Sequence, residues 1–384
     1  MRSVENSYDH IIIGAGAAGL HLLLQIISRP SLADKRILVL EPSKKDENDR
    51  TWCYWEKGEG QWDHLLTGRW AEGNFHGPSH SVPLSLNGYE YKMLRGLDFY
   101  RYALEKVKAS PNIHLHHEKV SEVRRKGEWM QVQTDGGLYY SPLIFDSRIP
   151  KAFEKKNDGH QRLLQHFKGK LIRTEERTFD PSTFTMMDFR ASWKGSTSFC
   201  YVLPTSPHEA LVEYTLFTDT LLSPEEYETL VNKEIEGRLK IKNYTTIEEE
   251  FGVIPMSDFP FEEQQEPGQL LIGTAGGWVR PSSGYSFKNA ERYAKMVVDA
   301  LVAGETLPTR PFKARHRFYD RILLNILLEE NSLGPVIFEQ LYHRNATDRI
   351  LRFLDEQSSF KEDVQLMLSL DSAPFLRALK RLYL

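Results

Sequence analysis

His10-Ile11-Ile12-Ile13-Gly14-Ala15-Gly16-Ala17-Ala18-Gly19-Leu20-His21-Leu22-Leu23-Leu24-Gln25-Ile26-Ile27 decides how this chain folds. The isoleucines read as a short buried strand, the glycines as a tight turn, and the apolar residues after them as a helix ending near Pro30. Arg36-Ile37-Leu38-Val39-Leu40 reads as a second buried strand closing on Glu41, so a βαβ unit is complete in about 30 residues, the length of a Rossmann half. The glycines have separate tasks. Gly14 permits the turn, Gly16 lets a pyrophosphate reach the backbone, and Gly19 lets helix pack closely on strand, with Ala15, Ala17 and Ala18 as the small residues between them. The start of the helix adds free N–H groups and partial positive charge for phosphate. Glu41 stands where an acid accepts hydrogen bonds from ribose hydroxyls. The competing reading is a tight turn that holds no ligand.

A simple NAD domain continues in regular βα repeats. Here the chain instead enters a stretch rich in Trp, Gly and Asp, residues 44–77, with little periodicity, and returns to a glycine cluster only at 273–284. Two nucleotide contacts so far apart suit FAD, a molecule long enough to run from the first turn to a late helix N-terminus. No second GxGxxG follows a strand, so no separate NAD(P)H domain is expected; a reductant would bind transiently or come from another protein. Further strands are expected at 113–116, 119–125, 130–134, 143–146, 198–203, 210–218 and 249–255. Helices are expected at 98–110, 224–238 and 289–302, and throughout the tail from about 311. The expected organisation is a discontinuous nucleotide domain (1–75, 90–150, 265–310), a substrate domain (76–89, 151–264) and a C-terminal helical region (311–384).

Composition narrows the class. Forty-nine basic against 53 acidic residues leave a net charge of −4, with no basic excess for nucleic acid. Cys53 and Cys200 are the two cysteines, too few for a disulfide framework or a Cys-rich metal site, so no metal is expected and a reducing cytoplasm is the default. No stretch reaches the about 20 apolar residues of a spanning helix. The expectation is a soluble or peripheral protein.

Asn48-Asp49-Arg50-Thr51-Trp52-Cys53-Tyr54-Trp55 resembles the signature that follows the first nucleotide unit of the lycopene cyclases. Phe199-Cys200-Tyr201-Val202-Leu203-Pro204 with Ala210-Leu211-Val212-Glu213-Tyr214-Thr215 is similar to the central strand pair of that family and its Glu-containing motif. The segment from Gly273 to Ser286 looks like its late flavin-binding segment, and Ile350-Leu351-Arg352-Phe353-Leu354-Asp355-Glu356 matches its C-terminal helices. The four motifs occur in order across most of the chain. Two positions depart from the family pattern: Tyr214 stands where a second acid commonly follows the motif Glu, and Arg280 where many members have His. Both departures put a paired-carboxylate mechanism in doubt, and neither removes Glu213.

The resemblance implies an α/β (α+β overall) fold: a Rossmann-type FAD-binding domain of the glutathione-reductase/hydroxylase class, an interleaved mixed β-sheet substrate domain and a helical C-terminus. It implies FAD, active in its reduced form, with NAD(P)H as reductant, held by the first glycine turn, by Arg50, Thr51 and Trp52, and by Gly273, Gly276, Gly277, Gly284, Tyr285 and Ser286. It also implies cyclisation of the ψ-ends of a linear carotene to β-ionone rings. Such a reaction needs an acid in an apolar site. Glu213 is the candidate, sharing a strand face with Leu211 and Thr215 and not with Val212, Tyr214 and Leu216. Asp188 either orients Glu213 or contacts the cation, or else is bridged to Arg190 or another base. Trp52, Trp55, Tyr201, Tyr214 and Tyr285 are candidate tunnel lining, and Arg95 and Arg148 meet either phosphate or structural carboxylates.

A carotene substrate implies contact with lipid, at the inner face of a cytoplasmic membrane, and possible neighbours among other carotenoid-pathway enzymes. Residues 375–382 form a basic amphipathic helix and 313–318 a second basic stretch; each either lies on lipid or packs on the core. Two further readings remain open: a redox flavoenzyme on a lipophilic substrate, and a flavin-carrying lipid-binding protein without catalysis.

Overall fold

The computed structural model describes residues 6–155 and 158–384. The chain forms two compact units, each drawn from three separated segments: residues up to 47, 97–160 and 259–312 in one, and 48–96, 161–258 and 313–384 in the other.

The first unit is built on a parallel sheet in the order Gln269–Leu271, Leu143–Asp146, His10–Ile13, Ile37–Leu40, Ile113–His116. Its central strands are near-continuous runs of Ile, Leu and Val because a parallel sheet is covered on both faces; Ile11, Ile12, Leu38 and Val39 are fully buried. The helices Ala17–Ile27 and Phe287–Ala303 pack together in this unit. An antiparallel three-stranded sheet, Val120–Lys126, Trp129–Thr134 and Leu138–Ser141, completes it.

The second unit is built on a seven-stranded mixed sheet in the order Thr245–Ser257, Arg162–Arg173, Glu209–Thr218, Thr197–Ser206, Thr183–Asp188, Glu72–His76, Ser81–Ser85. The helix Pro224–Asn232, started by a capping box between Ser223 and Glu226, covers one face of the sheet. It buries Tyr227 and Val231 against Val202, Val212, Tyr214 and Leu216. The acidic helix expected over 224–238 is therefore α-helical only to Asn232, and Lys233–Arg238 continues as a π-helical turn.

Two expectations change here. Residues 44–77 contain regular strands, Thr51–Lys57, Gly68–Trp70 and Glu72–His76, the first two joined through Tyr89–Arg95 in a small antiparallel sheet. With them, 48–75 and 90–96 fall in the second unit and not with the nucleotide strands. The tail is helical, as expected, but it is part of the second unit and not a separate region. Asn331 explains why: its side chain donates to the Phe217 carbonyl (2.8 Å) and its carbonyl accepts from the Thr197 hydroxyl (2.6 Å), tying the tail to two central strands.

Candidate active site and nucleotide turn

The glycine turn has the shape its sequence requires. Gly14 has φ +98°, and a Cβ there would run into the Ser147 side chain. A Cβ on Gly19 would collide with the Gly14 carbonyl oxygen. A Cβ on Gly16 would meet nothing within 4 Å, so the open side of the turn lies there. Gly16 also caps the helix Ala17–Ile27 with no side-chain bond, which leaves its first N–H groups facing that open side. Glu41 braces the turn: one carboxylate oxygen accepts from Ala15 N–H (2.8 Å), the other from Ser43 N–H (3.0 Å).

The late glycine cluster comes to the same place. Gly273, at φ +62°, would put a Cβ 3.1 Å from the Ala18 methyl, so the two glycine segments touch. Gly276 would drive a Cβ into the Leu271 backbone, and Gly277 and Gly284 take φ +69° and +71°. Gly284 donates to the Arg280 carbonyl (2.9 Å) and Arg280 to the Tyr285 carbonyl (3.0 Å), a closed loop that delivers Ser286 as the cap of the helix Phe287–Ala303. Two helix starts and a small-residue floor in one unit fit a dinucleotide such as FAD. Arg148 is bidentate on Asp146 and is a structural partner of that carboxylate.

In the second unit, Glu213 stands in a row across four strands. Tyr201, Glu213, Gly169 and Glu250 are register partners, and directly opposed residues share a sheet face. Two rows flank it: Leu203, Leu211, Leu171 and Glu248 on one side, apolar but for the glutamate, and Phe199, Thr215, Phe167 and Gly252 on the other, apolar but for the Thr215 hydroxyl. Gly169 is what brings the acids together. A Cβ there would come within 2.9 Å of the Glu250 side chain, so only glycine leaves room for two carboxyls over one strand. Thr215 donates to Glu213 (2.9 Å) and Thr51 to Glu250 (2.8 Å).

Burial, then the charge of Glu250, pushes the Glu213 pKa well above the usual carboxylate range; burial also raises that of Glu250, against the lowering effect of the Thr51 hydroxyl. Glu250 Oε1 is buried and finds no donor among the described residues unless the facing carboxyl carries a proton. Both shifts favour the protonated form of the pair. Cys53 is part-exposed as a residue, yet its thiol is desolvated and senses both acids, which raises its pKa as well. Next to the pair lies a cavity of about 90 Å³ lined by Thr51, Met93, Arg95, Leu211, Glu248 and Glu250, among others.

The chain matches the model of the family described as lycopene cyclase protein over residues 9–380. It belongs to the lycopene cyclase family. Its curated relatives are distant: it is 25% identical over 346 residues to neoxanthin synthase of Solanum tuberosum (82% of this chain, 64% of the relative). It is 24% identical over 324 residues to lycopene beta cyclase of Nicotiana tabacum (77% and 60%). The chain thus spans less than two thirds of the length of these relatives. Among solved structures it is similar to a geranylgeranyl bacteriochlorophyll reductase-like protein of Thermoplasma acidophilum (TM-score 0.60, 11% identity, 98% and 99% of the two chains). It is also similar to a flavoprotein/dehydrogenase of Cytophaga hutchinsonii (TM-score 0.61, 12% identity, 94% and 98%). The fold is that flavoprotein fold, a Rossmann-type unit with a mixed sheet and a helical C-terminus.

Within this family member, Asp188 and Tyr214 stand away from Glu213. Asp188 does not orient Glu213. Its register partner is Cys200, itself opposite Tyr214, so it lies on the other face of the sheet. There its fully buried carboxylate is bonded to Arg190 (2.9 and 2.6 Å) and to Arg238 (2.6 Å). Burial alone would raise the Asp188 pKa, but the two guanidiniums hold it below the usual range. Tyr214 is likewise on that face, in the core under the helix Pro224–Asn232, and cannot line a space in front of Glu213; Tyr201 is on the correct face. The Thr51 hydroxyl, expected near the cofactor, serves Glu250, while the Arg50 guanidinium pairs with Asp49 and Trp52 is buried. Arg95 pairs with Glu248.

Sequence reasoning missed Glu250. The only signals were the glutamate run Glu248-Glu249-Glu250 leading into the strand expected at 249–255 and the lone glycine of Arg162–Arg173.

Proposed function

We propose that this protein is a lycopene β-cyclase, an isomerase that closes the ψ-ends of lycopene to give γ-carotene and β-carotene. The observation that carries the reading is Glu213, a carboxyl whose pKa is raised by burial and by Glu250 and whose flanking rows are mostly apolar. The substrate end is a trisubstituted alkene with no polar handle. Glu213 delivers its proton to C2, which leaves a tertiary cation at C1; the C5=C6 electrons then form the C1–C6 bond and leave the cation at C5, and the C6 proton passes back to the carboxylate of the acid pair as its C–H electrons set the C5=C6 ring double bond. The row through Phe199 and Phe167 limits the water that would capture the cation, and Thr215 fixes the carboxyl that donates. A raised pKa keeps the acid form available near neutral pH. FAD fits the first unit through Gly14, Gly16, Gly19 and the Gly273–Ala18 contact, with NAD(P)H as its reductant. When bound in reduced form, it supplies an electron-rich ring that stabilises positive charge. A hydrocarbon dissolved in lipid further requires the protein to work at a membrane surface, which we place at the cytoplasmic face.

Anaerobic incubation with lycopene, FAD and NADPH tests this. Ring formation without net NADPH consumption is expected. Stoichiometric NADPH oxidation with a reduced product would instead mark a redox flavoenzyme, and tight carotene binding without turnover a carrier. Glu213→Gln is expected to lower cyclisation by at least about a hundredfold with flavin absorbance unchanged.

A further inference from the structure

The helix Phe360–Leu368, in the second unit, has two unlike faces. One is firmly held. Leu366 and Asp363 are buried, and the Asp363 carboxylate accepts from Arg315 (2.9 Å) and from the Ser358 hydroxyl. Glu362 closes a capping box with Ser359 and accepts from Arg352 (2.7 Å). On the other face Phe360, Val364 and Leu368 recur at every fourth position and are 66%, 36% and 80% exposed. The stripe runs about 12 Å along the helix and offers on the order of 300 Å² of apolar surface. Patches of this size on a folded protein are often contact sites.

A second copy of the chain is a poor occupant, because a stable dimer buries about 800 Å² per partner, more than twice what the stripe offers. Charge favours lipid. Both carboxylates of the helix are taken up by Arg352 and Arg315, so the exposed polar residues left on it beside the stripe are Lys361 and Gln365. An apolar stripe edged by a lysine matches the boundary between acyl chains and anionic headgroups. We infer that the face formed by Phe360, Val364 and Leu368 docks this protein on a lipid surface. The three side chains enter the acyl boundary, Lys361 meets the headgroups, and the helix lies flat with its buried face unchanged. This choice of occupant rests in part on the proposed carotene substrate, which resides in lipid; the stripe and its charges do not.

The test is co-sedimentation of the full-length protein with vesicles of equimolar phosphatidylcholine and phosphatidylglycerol, with no carotene present. The wild type is expected to bind. The double variant Phe360→Ser, Leu368→Ser is expected to bind at least about tenfold more weakly. Both side chains are exposed, so its melting temperature is expected to match that of the wild type. A wild type that does not bind, or a double variant that binds equally well, overturns the docking face. So does a wild type that sediments as a dimer without lipid while the variant sediments as a monomer, which would give the stripe to a second copy. Should the double variant misfold, Leu368→Ser alone is read in the same way. Binding lost with the stripe, in a protein that does not cyclise lycopene, would leave the docking face standing and sink the cyclase reading alone.

Discussion

Glu213 and Glu250 show what a single missing side chain can do. Gly169 removes one Cβ from a row of four residues, and two carboxyls then share a space that favours one proton. That sharing has a thermodynamic signature. Both pKa values are raised in the folded chain, burial being the first cause. Between the ordinary carboxylate range and the raised values, the native state binds more protons than the unfolded state, so stability must fall as pH rises through that window. Buried His10 and His166 act in the opposite sense: burial lowers each to about 4, so they lose stability as pH falls below the ordinary imidazole value. The difference between wild type and Glu250→Gln isolates the pair. Chemical unfolding from pH 5 to 9 is expected to show a downward slope in the wild type that is shallower in the variant; parallel slopes would rule out a shared proton.

Among elements, the nucleotide turn and the acid strand were legible to different degrees, and the reason is physical. His10–Ile13 and Ile37–Leu40 are buried on both faces, so their apolar runs and the glycines between them identify themselves. The turn's glycines are also separable by experiment. Gly16 has extended backbone and open space, so Gly16→Val is expected to keep circular dichroism and melting temperature while flavin binding falls at least about tenfold, since the backbone can no longer approach a phosphate. Gly19→Val meets the Gly14 carbonyl and is expected to destabilise the fold itself by about 1–3 kcal/mol. Equal losses of stability in both variants would mean that Gly16 is packing and not access. By contrast Thr51–Lys57 hid in its sequence, because Trp52 and Tyr54 alternate with Cys53 and Trp55 and no polar–apolar rhythm survives. Glu250 hid for another reason. Which of three consecutive glutamates turns toward Glu213 depends on register with Arg162–Arg173, and no local pattern encodes that.

For the whole molecule, the chain alternates between its two units, and its last segment closes the unit that carries the acids. The tail's basic helix was expected either to lie on lipid or to pack on the core. In Ser372–Tyr383, Ala378 is fully buried against Ile322, Ile326 and Ile337, with Phe375, Leu379 and Leu382 packed around it. Its arginines are occupied as well: Arg377 and Arg381 both bond Glu330, and Arg381 also reaches Asn325 (2.8 Å). A helix held this way is structural, and exposed pairs such as Arg377–Glu330 add little beside the apolar contact. Each large apolar side chain stripped from that contact contributes roughly 1.5 kcal/mol or more when fully buried, so loss of the helix costs several kcal/mol at most and about 2 at least. Truncation after Asp371 is therefore expected to lower the melting temperature by about 5 °C or more. Scanning calorimetry and co-sedimentation with anionic vesicles, run on the same truncated protein, separate the two roles. A lipid strap would leave the melting temperature untouched and abolish sedimentation; a packed helix lowers the melting temperature first, and the full-length protein should show no loss of vesicle binding when Lys380, whose side chain is not held by Glu330, is changed to Gln.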